Sequence, residues 1–173
     1  MASVLAVCIS EEKGVRKHEV PAIDVRFGEG VSGDAHGDDP KRRVSLLGDE
    51  SVEKLRSVFP ELKPGDFAEN ILTEGLVLYE LPVGTRLKIG ETELEVTQIG
   101  KECHHGCEIR RLTGDCVMPR EGIFAEVIIE GRIKPGDNVE VLDNIEVLDN
   151  IEALDNVEAP DNAEVLNNRG VLK

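Results

Sequence analysis

Three turn signals of one type divide this chain: LKPGD at 62–66, LPVG at 81–84 and IKPGD at 133–137. Proline fixes φ and lacks an N–H, while glycine accepts left-handed backbone, so each signal ends a regular element. Between and around the signals lie short runs that suit strands. SVLAVCIS (3–10) and RRVSLL (42–47) carry apolar runs, and GIFAEVIIEG (122–131) is a strong β run followed by DNVEVL (137–142). TRLKIG and TELEVTQIG predict a hairpin around Gly90-Glu91. One helix is clear in GDESVEKLRSVF: Asp49 is its expected N-cap, and Val52, Leu55, Val58 and Phe59 follow at helical spacing. A shorter helix is expected after Cys103. Many short strands with one or two short helices predict an α+β domain, mostly β and barrel-like. With aromatics at 3% and no Trp, its core must rest on Val, Leu and Ile.

The formal charge of −15 argues against nucleic-acid binding, which needs cations to neutralise phosphates. A local basic patch would still serve a small anion, and Lys41, Arg42 and Arg43 form one run while Arg110 and Arg111 form another. The plain alternative for both is solvated surface charge. No apolar run approaches the roughly 20 residues that cross a bilayer, so no membrane association is expected. The first apolar run, Val4 to Ile9, is short, follows no positive charge and suits a strand better than a signal peptide. Four cysteines without such a signal predict a cytoplasmic, reducing setting, where thiols are free, catalytic or metal-bound.

From Asn138 the chain takes on a six-residue repeat: VLDNIE twice, ALDNVE, APDNAE, and a decayed VLNNRG. Nine acids against two bases put nearly half the net charge into about a fifth of the chain. A six-residue period forms no single apolar stripe on a helix, and five imperfect copies make too few coils for a β-helix. The expectation is a domain over 1–142 and a flexible acidic tail over 143–173.

Three segments carry possible chemistry. GKECHHGCEIRRLTGDC, 100–116, holds three of the four cysteines and two of the four histidines. Cys103, His104 or His105, Cys107 and Cys116 are enough for a zinc site, although no second tight ligand pair exists. The other reading is a reactive thiol. A free cysteine has a pKa of about 8.5, and nearby cations or a helix N-terminus make it a thiolate. Lys101, His104, His105, Arg110 and Arg111 lie close to Cys103 in sequence. Cys8, inside its apolar strand, reads as a buried hydrophobe. The second segment, GEGVSGDAHGDDPKRRVSLL (28–47), is a glycine-rich loop in which Asp34 and His36 suit acid–base work, ligand binding or a structural turn. The third, LKPGDFAENILTEGLVL (62–78), sets Asp66, Glu69 and Asn70 in an apolar stretch, where they either stitch loops together or bind something.

GVSGDAHG, RRVSLL, PGDFAENILTEGL, LPVGTRLKIG and ELEVTQIGKEC, in this order, resemble the MOSC domain, named for the C-terminal domain of molybdenum cofactor sulfurases. The likeness covers roughly residues 1–142 and is nearest to the small stand-alone bacterial members. It implies a mostly-β, barrel-like fold and one functional cysteine shortly after an EVT strand, a place that only Cys103 occupies. In the family that cysteine is proposed to carry sulfur as a persulfide, or, in related reductases of N-hydroxylated compounds, to ligate molybdenum in the pterin cofactor. The resemblance therefore implies Cys103 as catalytic thiol or molybdenum ligand. Arg42, Arg43, Arg110 and Arg111 would neutralise the phosphate of molybdopterin, and Asp34, His36, Glu69 and Asn70 would shape the pocket. Cys107 departs from the simpler pattern as a possible resolving thiol. The pyridoxal-phosphate (PLP) desulfurase domain of larger sulfurases has no counterpart expected here, so sulfur would come from a partner, a desulfurase or a cofactor-biosynthesis protein.

Overall fold

The predicted hairpin forms where the pattern places it. Strands β7 (Arg86–Ile89) and β8 (Thr92–Ile99) pair antiparallel with Ile89 opposite Thr92. The Thr92 hydroxyl donates to the Ile89 carbonyl at 2.8 Å and pins the turn. Burial alternates along β8, as it must when one face packs and the other is wet. The computed structural model describes residues 1–37, 39–102 and 108–142. Asp38, residues 103–107 and the acidic repeats from 143 onward lie outside the described residues.

Six further strands join this hairpin in one sheet. They are β1 (Ser3–Ile9), β2 (His18–Val20), β5 (Val44–Gly48), β6 (Ile71–Glu74), β9 (Ile123–Ile129) and β11 (Val139–Leu142), in the order β11-β7-β8-β9-β5-β6-β1-β2. Only β5 and β6 run parallel, and helix α1 (Asp49–Arg56) lies in the connection between them. A second sheet, β10-β3-β4, combines β10 (Gly131–Ile133), β3 (Ile23–Arg26) and β4 (Gly30–Val31). The large sheet curls until its two sides meet at Ser3 and Asn138. The Val4 amide donates to the Asp137 carbonyl at 2.9 Å, and the Gly136 amide to the Val4 carbonyl at 2.8 Å. The expected barrel is thus a curled sheet joined by one bridge, without a continuous closing ladder.

Two apolar clusters account for the two kinds of strand in the sequence. Val4, Val7, Leu46, Ile71, Leu94 and Ile123 fill the concave side. Ala6, Cys8, Leu47, Leu72 and Phe124 face the convex side, where α1, α2 (Glu108–Thr113), α3 (Met118–Glu121) and the 62–67 turn cover them. Strands β1, β5 and β6 are packed on both faces and so read as apolar runs, whereas β7 and β8 alternate. Each fully buried Leu or Ile contributes about 1.5–3 kcal/mol.

Two local expectations need correction. Gly48, in extended backbone, occupies the N-cap position of α1, and no side chain caps it. Asp49 sits one residue inside, its carboxylate drawn to Arg56 at 2.8 Å. The helix ends at Arg56, so Val58 leaves the apolar stripe and is 68% exposed. Three α-helices occur among the described residues rather than one or two; α3 begins around Pro119, which suits a first turn whose N–H groups have no partner anyway.

Candidate functional site

Asn70 ties three chain segments together. Its Oδ1 accepts from the Ser45 amide at 3.1 Å and the Ser45 hydroxyl at 2.9 Å. Its Nδ2 donates to the Cys8 carbonyl and to Asp34 Oδ2, both at 3.1 Å. All four side-chain bonding positions are therefore engaged inside the protein. Asp34 receives the Lys17 ammonium at 2.6 Å, the Ser10 amide at 3.1 Å and the His36 amide at 3.0 Å, and His36 Nδ1 lies 3.1 Å from its Oδ1. Both members of the Lys17–Asp34 pair are buried. Burial alone would raise the Asp34 carboxyl, but the donors from His36 and Lys17, the Lys17 charge and the Ser10 amide together hold it below the usual carboxylate range. Burial lowers the Lys17 ammonium, with the Asp34 hydrogen bond and charge opposing.

Glu69 closes the neighbouring loop. It is wholly buried, and its two oxygens accept from the Gly65 amide at 2.6 Å and the Phe67 amide at 3.1 Å. Burial raises its carboxyl to about 7; the two amides oppose this and Asp66 adds to it. Between them Ala68 takes φ +65°, a left-handed conformation that costs an L residue about 1–2 kcal/mol. Gly65, at φ +88°, passes so close to the chain that a Cβ there would stand 2.2 Å from the Lys17 carbonyl.

Above these buried groups runs a cleft of two adjoining hollows, of about 160 and 290 Å³, which share His36, Ala68 and Lys101. Phe67, Ile109, Cys116 and Met118 make the first hollow's apolar wall, and Phe124 lines the second. Five basic side chains, Lys13, Arg16, Lys17, Arg42 and Lys101, line the cleft against two carboxylates, Asp39 and Asp66. Arg16 pairs with Asp66 at 3.1 Å and Arg42 with Asp39 at 2.6 Å. The Lys101 ammonium lies 5.9 Å from the centre of the Phe124 ring. In a chain of net charge −15, this is a local inversion of sign suited to an anionic ligand.

Residues 32–140 of the chain match the MOSC domain, which is well over half its length. The chain belongs to the MOSC domain family. No curated protein matches it. Among solved structures it is similar to the YuaD protein of Bacillus subtilis, at 19% identity over 82% of this chain and 96% of that one, with a TM-score of 0.69. It is also similar to YiiM from Geobacillus stearothermophilus (16% identity, 83% and 76% of the two chains, TM-score 0.65). YiiM from Escherichia coli aligns at 22% identity over 84% of this chain and 71% of that one, with a TM-score of 0.59. At these identities the likeness shows the fold.

The MOSC domain distributes the expected site residues unevenly. His36 and Arg42 line the cleft, while Glu69 and Asn70 lie beneath it as support. Asp34 lies beneath it too and also reaches a separate polar hollow, where Arg43 sits with Gly28, Glu29, Gly33 and Gly37. Arg110 and Arg111 are exposed on α2 and are not among the cleft's lining residues. Cys103 and Cys107, with His104 and His105, lie outside the described residues. Two described residues near them in sequence, Lys101 and Ile109, both line the cleft. Cys8 is buried in β1, and burial pushes its thiol far up, as an inert thiol requires. Among the described residues, no three of His, Cys, Asp and Glu gather as a metal site. Among the described residues, no helix is long and apolar enough to cross a membrane.

Sequence reasoning missed the cations that matter most. Lys13, Arg16 and Lys17 stand in EEKGVRKHE, which reads as an ordinary solvated turn. Their spacing offered a faint signal, but nothing in it shows that Lys17 is buried. That burial arises because Asp34, seventeen residues away in sequence, sits under the same loop.

Proposed function

We propose that this MOSC protein works in molybdenum-cofactor or metal–sulfur chemistry, holding an anionic ligand in the basic cleft and carrying sulfur as a persulfide on Cys103. The observation that carries this reading is the convergence of five basic side chains on a half-apolar cleft whose wall includes Lys101, two residues before Cys103. The family is linked to molybdenum cofactor sulfurase-like proteins, which supports the same chemistry at a coarser level. The residues present fit the pterin cofactor. Its phosphate would meet Lys13, Arg16, Arg42 and Lys101, and its ring system would lie against the wall of Phe67, Ile109 and Met118. When bound, that group would supply a metal-centred redox site, with the Cys103 thiolate as its protein ligand.

As a carrier, the Cys103 thiolate attacks the outer sulfur of a partner desulfurase's persulfide. The partner's S–S bond breaks, its cysteine leaves as thiolate, and Cys103 holds the sulfur. Cations close to Cys103 would favour its thiolate over the thiol, and Lys101 stands two residues away in sequence. The test incubates the full chain with a desulfurase and free cysteine, then measures intact mass. A gain of one sulfur atom that is lost in Cys103→Ser is expected; an unchanged mass overturns the carrier form. Molybdenum and pterin in the purified protein, with reduction of N-hydroxylated compounds lost in Cys103→Ser, would make it a reductase instead. Stoichiometric zinc with unfolding by chelator would make it a zinc-stabilised binding module.

A further inference from the structure

Three of the cleft's cations are already matched. Arg16 pairs with Asp66 at 3.1 Å, Lys17 with Asp34 at 2.6 Å and Arg42 with Asp39 at 2.6 Å. Each carboxylate offsets its partner's charge. Among the described residues, no carboxylate pairs with Lys101, whose ammonium instead lies 5.9 Å from the centre of the Phe124 ring. The backbone holds this lysine in place. Gly100 takes φ +66° so close to α3 that a Cβ there would stand 2.3 Å from the Pro119 carbonyl. The Gly100 amide donates to the Gly122 carbonyl at 2.7 Å, and the Lys101 amide to the Pro119 carbonyl at 3.2 Å. Lys101 thus stands where the two hollows join and lines both.

The smaller hollow suits one kind of guest. Its volume of about 160 Å³ is close to the roughly 150 Å³ of an apolar cavity that takes up benzene. Phe67 lines it with a ring, Cys116 and Met118 with polarisable side chains, and Arg16 with a planar cation. Each of these gains more from an aromatic face than from an alkyl group of the same size. We infer that the cleft contains a subsite for single-ring aromatic anions, with the ring in the smaller hollow and the anionic group on the Lys101 ammonium. The subsite rests on the basic-cleft reading above and not on sulfur transfer. Because Lys101 lines the same hollow as Phe67 and Met118, the acid group can sit directly on the ring, as in an arenecarboxylate, without a spacer. Asp66 lines this hollow too, but its charge is already matched by Arg16. An aliphatic acid keeps the charge contact and loses the ring contacts, and a neutral arene does the reverse.

The chain has two methionines, and Met1 is fully exposed, so isotope labelling of the methionine methyls gives one NMR reporter in the hollow and one control outside it. Titration of the full chain with benzoate should shift the Met118 methyl by ring current and leave Met1 in place. Cyclohexanecarboxylate, of equal charge and similar size, should bind about 3–10-fold more weakly. Benzamide, the same ring without the charge, should bind about 10-fold more weakly. Lys101→Gln should weaken benzoate about 10-fold and leave benzamide unchanged, and Lys101→Arg should restore most of the loss. A Met118 signal that benzoate does not move overturns the inference. So does equal affinity for benzoate and cyclohexanecarboxylate, or benzoate binding that ignores Lys101→Gln. Calorimetry with inorganic phosphate separates this subsite from the wider reading. Phosphate that binds where benzoate does not overturns the subsite alone, and binding of neither overturns the basic-cleft reading with it.

Discussion

The segments KPGDFAE, residues 63–69, and KPGDNVE, residues 134–140, begin alike and diverge after four residues. In both turns glycine takes a left-handed φ, +88° at Gly65 and +89° at Gly136. In both, the Asp amide donates to the Lys carbonyl at 3.2 Å and the Asp carboxylate accepts the Lys amide at 2.9 Å. The residue before each turn is buried, Leu62 in one and Ile133 in the other. Then Val139 enters strand β11 and Glu140 points outward, exposed. Phe67 instead plugs the convex apolar cluster, Ala68 reverses hand, and Glu69 swings inside to bond the loop's own amides. Four identical residues specify a turn. The side chains just beyond them, Phe-Ala-Glu or Asn-Val-Glu, make that turn the floor of a cleft or a plain connection.

The largest effect should separate the two glycines. At Gly65 a Cβ would meet the Lys17 carbonyl at 2.2 Å and the Cys8 Cβ at 3.4 Å, so neither neighbour can easily move. At Gly136 a Cβ would meet nothing within 4 Å. Gly136→Ala should therefore cost only the left-handed penalty, about 1–2 kcal/mol. Gly65→Ala adds a backbone clash and should cost about 4 kcal/mol or more. Urea unfolding of the two variants measures the gap, and equal losses would show that the turns are equivalent after all.

The turn that forms the cleft floor should also carry a pH dependence, through Glu69. Glu69 is raised from the usual 4.5 to about 7. The folded state thus binds more protons than the unfolded chain between those values, and stability falls as pH rises through that window. A shift of this size corresponds to about 3 kcal/mol. Glu69→Gln should flatten the slope between pH 4.5 and 7. Asp34 acts in the opposite sense, because its depressed carboxyl supports stability that is lost progressively as pH falls through and below the ordinary carboxylate range. An unchanged slope in Glu69→Gln would assign the pH dependence to another group.

The same contrast marks how far the sequence could be read. Both turns, the β7–β8 hairpin and the apolar runs of β1, β5 and β9 were legible because local chemistry specifies them. Strands β2, β3, β4 and β10 were not, being two to four residues long and made by their partners more than by their own pattern. In the site, Asp34, His36, Glu69 and Asn70 stood out as polar residues in unusual company. Their division into lining and support did not, since Asn70 reaches Cys8 and Ser45 across sixty-two and twenty-five residues. Lys17 escaped notice for the same reason: its burial comes from a distant loop, and a lysine beside a histidine looks like any solvated turn.

The smallest effect tests the residue where the two turns part. Ala68 sits at φ +65°, and glycine would remove a strain of about 1–2 kcal/mol while adding roughly 0.5–1 kcal/mol of unfolded-chain entropy. Ala68→Gly should therefore stabilise the protein slightly, by about 0.5–1 kcal/mol. The matching change, Val139→Gly, removes a buried strand side chain and should destabilise by about 1.5–3 kcal/mol. Opposite signs at equivalent positions would place the divergence in the backbone at residue 68. A loss in Ala68→Gly would instead give the weight to its methyl group, which lines both hollows of the cleft, and would mean that contact there outweighs the strain of holding it.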